Sequence, residues 1–316
     1  MQSVLTTRLA PSPTGALHLG NARTFVLTWA WARAHGAALP LRMEDLDSPR
    51  KKPWAHDQAL EDLRWLGVDW DGPVLVQSTR HLAHVAALNT LIGAGAVYPC
   101  SCSRKDVVSA QGAPHAEDEL QYPGTCRGRW AGPEDAFADV HRPVAWRFRV
   151  TPCPVPFDDA IQGRVELDPA SSGGDFVVAR WTPDRWHQVG YQLAVVVDDA
   201  AANVDTVIRG DDLVPSTPRQ ILLQRALGLP TPSYAHLPLV VGEDGRRLAK
   251  RHGDTRIAAY REAGVTSDRI RRWIASTSGV LPSALDDPKP DVIRWSLVPR
   301  QPVVVRSHPV PDGPPD

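Results

Sequence analysis

Net charge is the first thing this chain lacks. Its 35 lysines and arginines against 36 aspartates and glutamates leave −1 at neutral pH, which argues against a broad basic surface gripping nucleic acid by charge alone. A local basic face stays compatible with that balance. Long apolar runs are missing too. No stretch approaches the roughly 20 residues that cross a bilayer, and the N-terminus has no secretory signal pattern. A soluble cytoplasmic protein with no membrane partner is the expectation. Cysteine is scarce, 4 in 316 residues, so the chain is not a disulfide scaffold. No fixed-period repeat marks a solenoid. What is present is apolar residue enough, 42%, for one large core or two moderate domains.

Residues 3–10 read as a short strand, and "ARTFVLTWAWARAHG" as a helix that Gly36 is placed to end. "ALPLRMEDLD" reads as a second buried strand; "HDQALEDLRWLGVDWDG" and "TRHLAHVAALNTLIGAG" read as helices. Strand and helix alternate, which favours a parallel α/β sheet. From Tyr98 to about Thr182 the texture turns to Pro, Gly, Cys and short β pieces such as "VAWRFRV", as in an inserted domain. "YQLAVVVDDAAANVDTVIRGDDL" returns to buried strands and "TPRQILLQRALG" to helix; "RIAAYREAG" and "SDRIRRWIAS" are helical. From Leu281 onward the chain is rich in Pro and Asp without periodicity and reads as an extended, partly disordered tail. The expected organisation is a first half-domain at 1–98, an insertion at 99–186, a second half-domain at 187–254, helices at 255–280 and the tail at 281–316.

Two stretches carry phosphate chemistry. In "RLAPSPTGALHLGNART", residues 8–24, His18 and the backbone of Gly20 and Asn21 fall where a strand turns into a helix. Open α/β sheets bind ligands at that edge. A helix N-terminus favours phosphate, and glycine admits a nucleotide close to the backbone. In "GEDGRRLAKRHGD", residues 242–254, three glycines surround Lys250, Arg246, Arg247 and Arg251. Such a loop can close over a triphosphate and stabilise departing pyrophosphate. Alone, the first is an ordinary turn as often as a site, and the second is more often a solvated basic loop than a site.

Their order and flanks make them specific. "APSPTGALHLGN", "RMEDLD", "WLGVDWDGPV", "YPCSCSR", "YQLAVVVDD", "VIRGDDL" and "LAKR" follow one another over roughly the first 255 residues. This succession resembles the glutamate branch of the class I aminoacyl-tRNA synthetases. "HLGN" stands in the place of the HIGH signature and "RLAKR" in that of KMSKS, with Ala249 where KMSKS has a small polar residue. Only about sixty residues follow the basic loop, where a full glutamyl-tRNA synthetase continues into a large anticodon-binding domain. The compact form resembles the glutamyl-queuosine tRNA(Asp) synthetase family. That resemblance implies a Rossmann-like parallel sheet split by a zinc-bearing insertion, and a monomer. It implies ATP-dependent activation of L-glutamate, with Mg²⁺ arriving on ATP, and transfer to queuosine in the anticodon of tRNA(Asp). The alternatives are a truncated synthetase charging a tRNA 3′ end and a non-catalytic tRNA-binding paralogue.

Glutamate needs cationic partners for two carboxylates and an anion for its ammonium, and arginine's planar fork suits a carboxylate. Arg8 precedes the Pro turn, Arg209 follows the strand "VDTVI", Glu44 ends the second strand and Tyr191 begins a later one. The resemblance implies Arg8, Ser12, Glu44, Tyr191 and Arg209 as glutamate contacts, with Arg8 the favoured partner of the side-chain carboxylate. It also implies His18, Gly20, Asn21 and Lys250 at ATP, with His18 and Lys250 the catalytic pair.

Cys100, Cys102 and Cys126 form a third signal. Tetrahedral zinc needs a fourth ligand. Ligand chemistry alone points to His115; the resemblance points to Tyr122, four residues before Cys126. The expected ion is one structural Zn²⁺ on Cys100, Cys102, Tyr122 and Cys126, with His115 as the alternative. Cys153 reads as a small buried or half-buried residue. His81 and His84 read as partly exposed helix histidines, and the tryptophans, Trp29, Trp31, Trp65 and Trp70 among them, as core.

Overall fold

The computed structural model describes residues 4–46, 52–110, 120–184, 187–246, 248, 254–280 and 282–305. The opening segment makes parallel bridges from Thr6 to Ala38 and from Leu9 to Leu41. Pro11 and Pro13 then stop it, since proline offers no amide to a ladder. Helix α1 (Leu19–His35) follows and ends at Gly36, whose φ of 61° gives the left-handed C-cap read from sequence. Strand β1 (Arg42–Met43), helix α2 (Ala55–Trp65), strand β2 (Leu75–Val76) and helix α3 (His81–Gly93) complete the first half. β1 and β2 pair in parallel.

Next in the chain come β3 (Val97–Cys100), α4 (Arg104–Ala110), α5 (Pro133–Val140), β4 (Val144–Phe148), β5 (Val155–Asp159), β6 (Gly163–Leu167), β7 (Phe176–Trp181) and β8 (His187–Val189). β3, β4, β7 and β8 form an antiparallel sheet in that order. Val144, Trp146 and Phe148 alternate inward along β4, as one buried sheet face requires.

The second half contains α6 (Tyr191–Ala201), β9 (Thr206–Gly210), α7 (Thr217–Leu227), β10 (Ser233–Leu237) and β11 (Val240–Gly242). β9 and β10 pair in parallel over five residues. The amides of Asp205 and Thr206 donate to the Thr6 carbonyl at 3.1 and 3.2 Å, so the opening segment touches both halves. The sheet therefore runs from β2 through β1 and the opening segment to β9 and β10. The chain reverses its direction of winding beside the opening segment, which makes that place the switch point of an open α/β sheet. The β5–β6 hairpin leaves the antiparallel sheet and adds to β10 at the outer edge.

Residues 191–201 correct the sequence reading: they are helix α6, not strand. Leu193, Ala194, Val195 and Val196 are all buried, so consecutive positions are apolar and the helical period is masked. Helices α8 (Ile257–Glu262), α9 (Ser267–Thr277) and α10 (Ser283–Asp286) follow, then strand β12 (Val303–Val305). The expected loose tail is a second correction for residues 282–305. Leu285, Ile293 and Val298 join the main core, Trp295 stacks on Trp31, and β12 pairs with β11. Residues 306–316 lie outside the described residues. Two side chains also differ from expectation. Cys153 is exposed. His84 is buried because its Nε2 meets Asp198 at 2.9 Å, a partner 114 residues away.

Candidate active site

At the switch point the opening segment and β9 end on a cavity of about 540 Å³. Ser12, His18, Gly20, Asn21, Glu44, Tyr191 and Arg209 all line it. Seven residues read from distant parts of the sequence thus share one wall. The Glu44 amide donates to the Pro11 carbonyl at 2.9 Å, which sets the end of β1 against the Pro turn. His18 precedes the first turn of α1, and its Nδ1 lies 3.2 Å from Thr255 Oγ1. The Leu19 amide is taken by the Thr255 carbonyl at 2.9 Å. The next two residues, Gly20 and Asn21, face the cavity, where the positive end of the helix favours an anion.

Beneath the cavity lies a network of fixed charges. Asp199 Oδ1 accepts from Arg42 Nη1 at 2.5 Å and from Arg8 Nε at 3.3 Å. Arg42 Nη2 also donates to Glu44 Oε1 at 2.9 Å. Arg8 donates through Nη1 to the Ile208 carbonyl at 3.1 Å and stands behind the lining residues. Burial opposes ionisation of Asp199, but Arg42 and Arg8 outweigh it and hold the carboxyl below its ordinary range. Burial pushes Glu44 the other way, above its ordinary range, against the pull of Arg42. Burial likewise raises Tyr191. Sequence reasoning missed Arg42 and Asp199 as members of the site, although "RMEDLD" and "VVVDD" contain them.

Arg209 is different. Its Nε, Nη1 and Nη2 donate to His236 Nε2, Gln220 Oε1 and Thr217 Oγ1 at 3.0, 2.8 and 2.7 Å. All three partners are neutral acceptors. Among the described residues no carboxylate lies within ion-pair distance of this buried guanidinium. Burial accordingly lowers its pKa. Arg209 thus spends its bonds on neutral groups and keeps donor capacity for a ligand carboxylate.

The cysteines also meet. Cys100, Cys102 and Cys126 place their sulfurs within 4.8 Å of one another. The Tyr122 hydroxyl is 3.3 Å from the Cys100 sulfur and 3.8 Å from that of Cys102. Sulfurs on tetrahedral zinc stand about 3.8 Å apart, given bonds of about 2.3 Å, so three thiols and a phenol suit that ion. Arg147 reaches in, with Nε 3.1 Å from the Cys100 sulfur and its guanidinium over the Tyr122 ring. His115 and Lys250 lie outside the described residues, as do Ala249, Arg247 and Arg251.

A family model described as "tRNA synthetases class I (E and Q), catalytic domain" matches residues 4–283. The chain is 48% identical to a glutamyl-Q tRNA(Asp) synthetase of Rhodopirellula baltica, with 96% of this chain and 98% of that protein covered. A protein of the same name from Symbiobacterium thermophilum is 44% identical, with 94% of each covered. A glutamate–tRNA ligase of Parasynechococcus marenigrum is 39% identical over 89% of this chain but only 59% of its own length. Among solved structures, a glutamate tRNA ligase from Elizabethkingia meningosepticum in complex with its amino acid superposes with a TM-score of 0.78. It is 23% identical and covers 98% of this chain and 68% of that one, a likeness of fold.

Proposed function

The chain belongs to the class I tRNA synthetases of the glutamate and glutamine branch, and we propose that it activates L-glutamate with ATP and passes it to queuosine in the anticodon of tRNA(Asp). The observation that carries this reading is Arg209, buried with no directly paired carboxylate among the described residues, in a cavity that also holds the N-terminus of α1. A glutamate side chain offers Arg209 two acceptor oxygens, whereas the glutamine amide offers one and sets an N–H against the guanidinium. Arg209 pairs with the side-chain carboxylate, the role expected of Arg8, with Ser12 and Tyr191 beside it and Arg8 supporting from behind. Glu44 takes the ammonium and keeps Arg42 as its second partner.

In the first step an oxygen of the glutamate α-carboxylate bonds to the α-phosphorus of ATP, and the bond to the β-phosphate breaks, releasing pyrophosphate. His18 and the amides of Gly20 and Asn21 hold phosphate oxygens, and Lys250 stabilises the leaving group. Magnesium enters with ATP and supplies charge neutralisation. In the second step a ring hydroxyl of queuosine attacks the acyl carbon, AMP leaves with the electron pair, and the hydroxyl proton is released. Zinc, held by Cys100, Cys102, Tyr122 and Cys126, fixes the loops of the insertion. Next to it a cavity of about 780 Å³ is lined by Arg104, Arg142, Arg147, Arg180 and Arg219 among others. This is the local basic face that the neutral net charge left open, and it suits RNA phosphates.

The name of these relatives, glutamyl-Q tRNA(Asp) synthetase, favours queuosine over a 3′ end as acceptor, and unpaired loop bases are the ones a pocket can take in. The test incubates the protein with radiolabelled glutamate, ATP and tRNA(Asp) from cells with and without queuosine, then maps the labelled nucleotide. Pyrophosphate exchange with glutamate is expected without any tRNA, and transfer only to queuosine-bearing tRNA(Asp). Equal labelling of both tRNAs, or labelling at the 3′ end of tRNA(Glu), overturns the assignment.

A further inference from the structure

Behind Arg209 lies a buried row of groups that the reaction above does not use. Arg209 on β9 is the register partner of His236 on β10, and Asp159 ends β5, the strand on the other side of β10. Arg209 Nε stands 3.0 Å from His236 Nε2, and His236 Nδ1 stands 2.6 Å from Asp159 Oδ2. The three residues are 5%, 0% and 4% exposed. A guanidinium only donates, so Nε2 of His236 is the acceptor and carries no proton. The ring's single proton then sits on Nδ1 and points at Asp159. Asp159 is itself fixed by the amides of Ile161, Gln162 and His236, at 2.9, 2.8 and 3.1 Å.

The same count locates the free end of the arginine. Its Nε–H goes to His236, one Nη1 proton to Gln220 and one Nη2 proton to Thr217. One proton remains on each Nη nitrogen to meet a carboxylate. The opposite tautomer of His236, or its protonated ring, would set N–H against N–H and turn the fork away.

We propose that Asp159 and His236 are positioning residues: they lock the imidazole tautomer that aims Arg209 at the amino acid, and so set the preference for glutamate over glutamine. The proposal rests on reading the cavity as the glutamate site.

Pyrophosphate exchange on the full chain tests it, with glutamate, glutamine and ATP varied in turn. Loss of a hydrogen bond to a charged group predicts that His236→Leu raises the KM for glutamate about tenfold or more. The KM for ATP stays put, and the glutamate-to-glutamine ratio of kcat/KM falls in step. His236→Gln, with its amide oxygen near the Nε2 position, recovers most of the glutamate KM. Asp159→Asn, which favours the wrong tautomer, behaves like His236→Leu. An unchanged glutamate KM in His236→Leu, equal losses for glutamate and ATP, or no recovery in His236→Gln overturns the proposal. A nitrogen-15 spectrum of the wild-type imidazoles is independent of any variant's folding: His236 protonated on Nδ1 supports the lock, and on Nε2 ends it. A wild type that exchanges no glutamate would instead sink the reading of the cavity, and the spectrum would still decide the tautomer.

Discussion

The cavity at the switch point and the cysteine cluster on the insertion both gather reactive side chains, yet they manage charge in opposite ways. In the cavity the cations are guanidiniums, which do not titrate in any working range. Each is held by a carboxylate, a carbonyl or a neutral acceptor. In the cluster, protons are shared. The neighbouring Cys100 thiol holds Cys126 below the ordinary thiol range, while Cys126 and burial push Cys100 above it. Burial also raises Tyr122. A site of fixed charge recognises a ligand by the donors that it leaves unmatched. A site of shared protons is completed by a cation that displaces them. The first is therefore sensitive to single side-chain charges, and the second to metal supply.

The largest expected effect breaks the fixed-charge side. Arg209→Ala removes a buried guanidinium that has no carboxylate partner among the described residues. Truncating one member of a buried charged pair costs about 2–5 kcal/mol, so glutamate affinity is expected to fall by more than tenfold. ATP affinity should hold, because the phosphate contacts proposed above come from the start of α1 and from Lys250, not from β9. Exchange kinetics at saturating and limiting ATP check this. Equal losses for both substrates would move Arg209 out of the amino acid pocket.

A smaller effect on catalysis, but a complete one on metal content, is expected at the cluster. Cys102→Ser should release one zinc per chain and loosen the region from Cys100 to Cys126. Glutamate activation should change only a fewfold, since none of the three cysteines lines the cavity at the switch point. Elemental analysis of the wild type and hydrogen exchange of the variant measure both parts. A wild type without zinc, or a variant that keeps it, ends the zinc assignment. Tyr122→Phe and His115→Ala, compared side by side, identify the fourth ligand.

The two regions were not equally legible. The cysteines announce themselves by spacing, and the turn at His18 and the caps at Gly36 and Gly228 follow from local chemistry. The supports of the cavity leave no local trace. Arg42 and Asp199 meet across 157 residues, and His236 reaches Asp159 across 77. Neighbouring aspartates on α6 even part company. Asp198 turns to His84, Gln77 and Arg80, whereas Asp199 turns to Arg8 and Arg42. A carboxylate's role is set by which cation the sheet order brings to it, and sheet order is not a local property. The tail failed for a related reason. Leu285, Ile293 and Val298 are buried by a core built elsewhere, not by a face of their own element.

The smallest expected effect sharpens the comparison with a third carboxylate, one that has a cation nearby but not in contact. Asp62 on α2 is 0% exposed. Gln58 donates to its Oδ1 at 2.9 Å, Arg261 stays 3.8 Å away, and Oδ2 has no hydrogen-bond partner. Burial raises its pKa to about 6, where Asp199, 2.5 Å from Arg42, is lowered. An unfolded aspartate titrates near about 3.9. Between those two values the folded chain holds a proton that the unfolded chain has lost, so stability falls as pH rises through that window. Above it the folded state carries a buried anion at a cost of about 1–3 kcal/mol. Asp62→Asn keeps the shape and an acceptor for Gln58 but removes the charge. Its stability relative to wild type should therefore be about 1 kcal/mol better at pH 7, a value reduced by the amide protons it introduces. That advantage should shrink toward zero or reverse near pH 4. Urea unfolding of both proteins at pH 4 and pH 7 measures it. A difference that does not change with pH would mean that Arg261 already neutralises Asp62, and that contact distance is not what separates the two carboxylates.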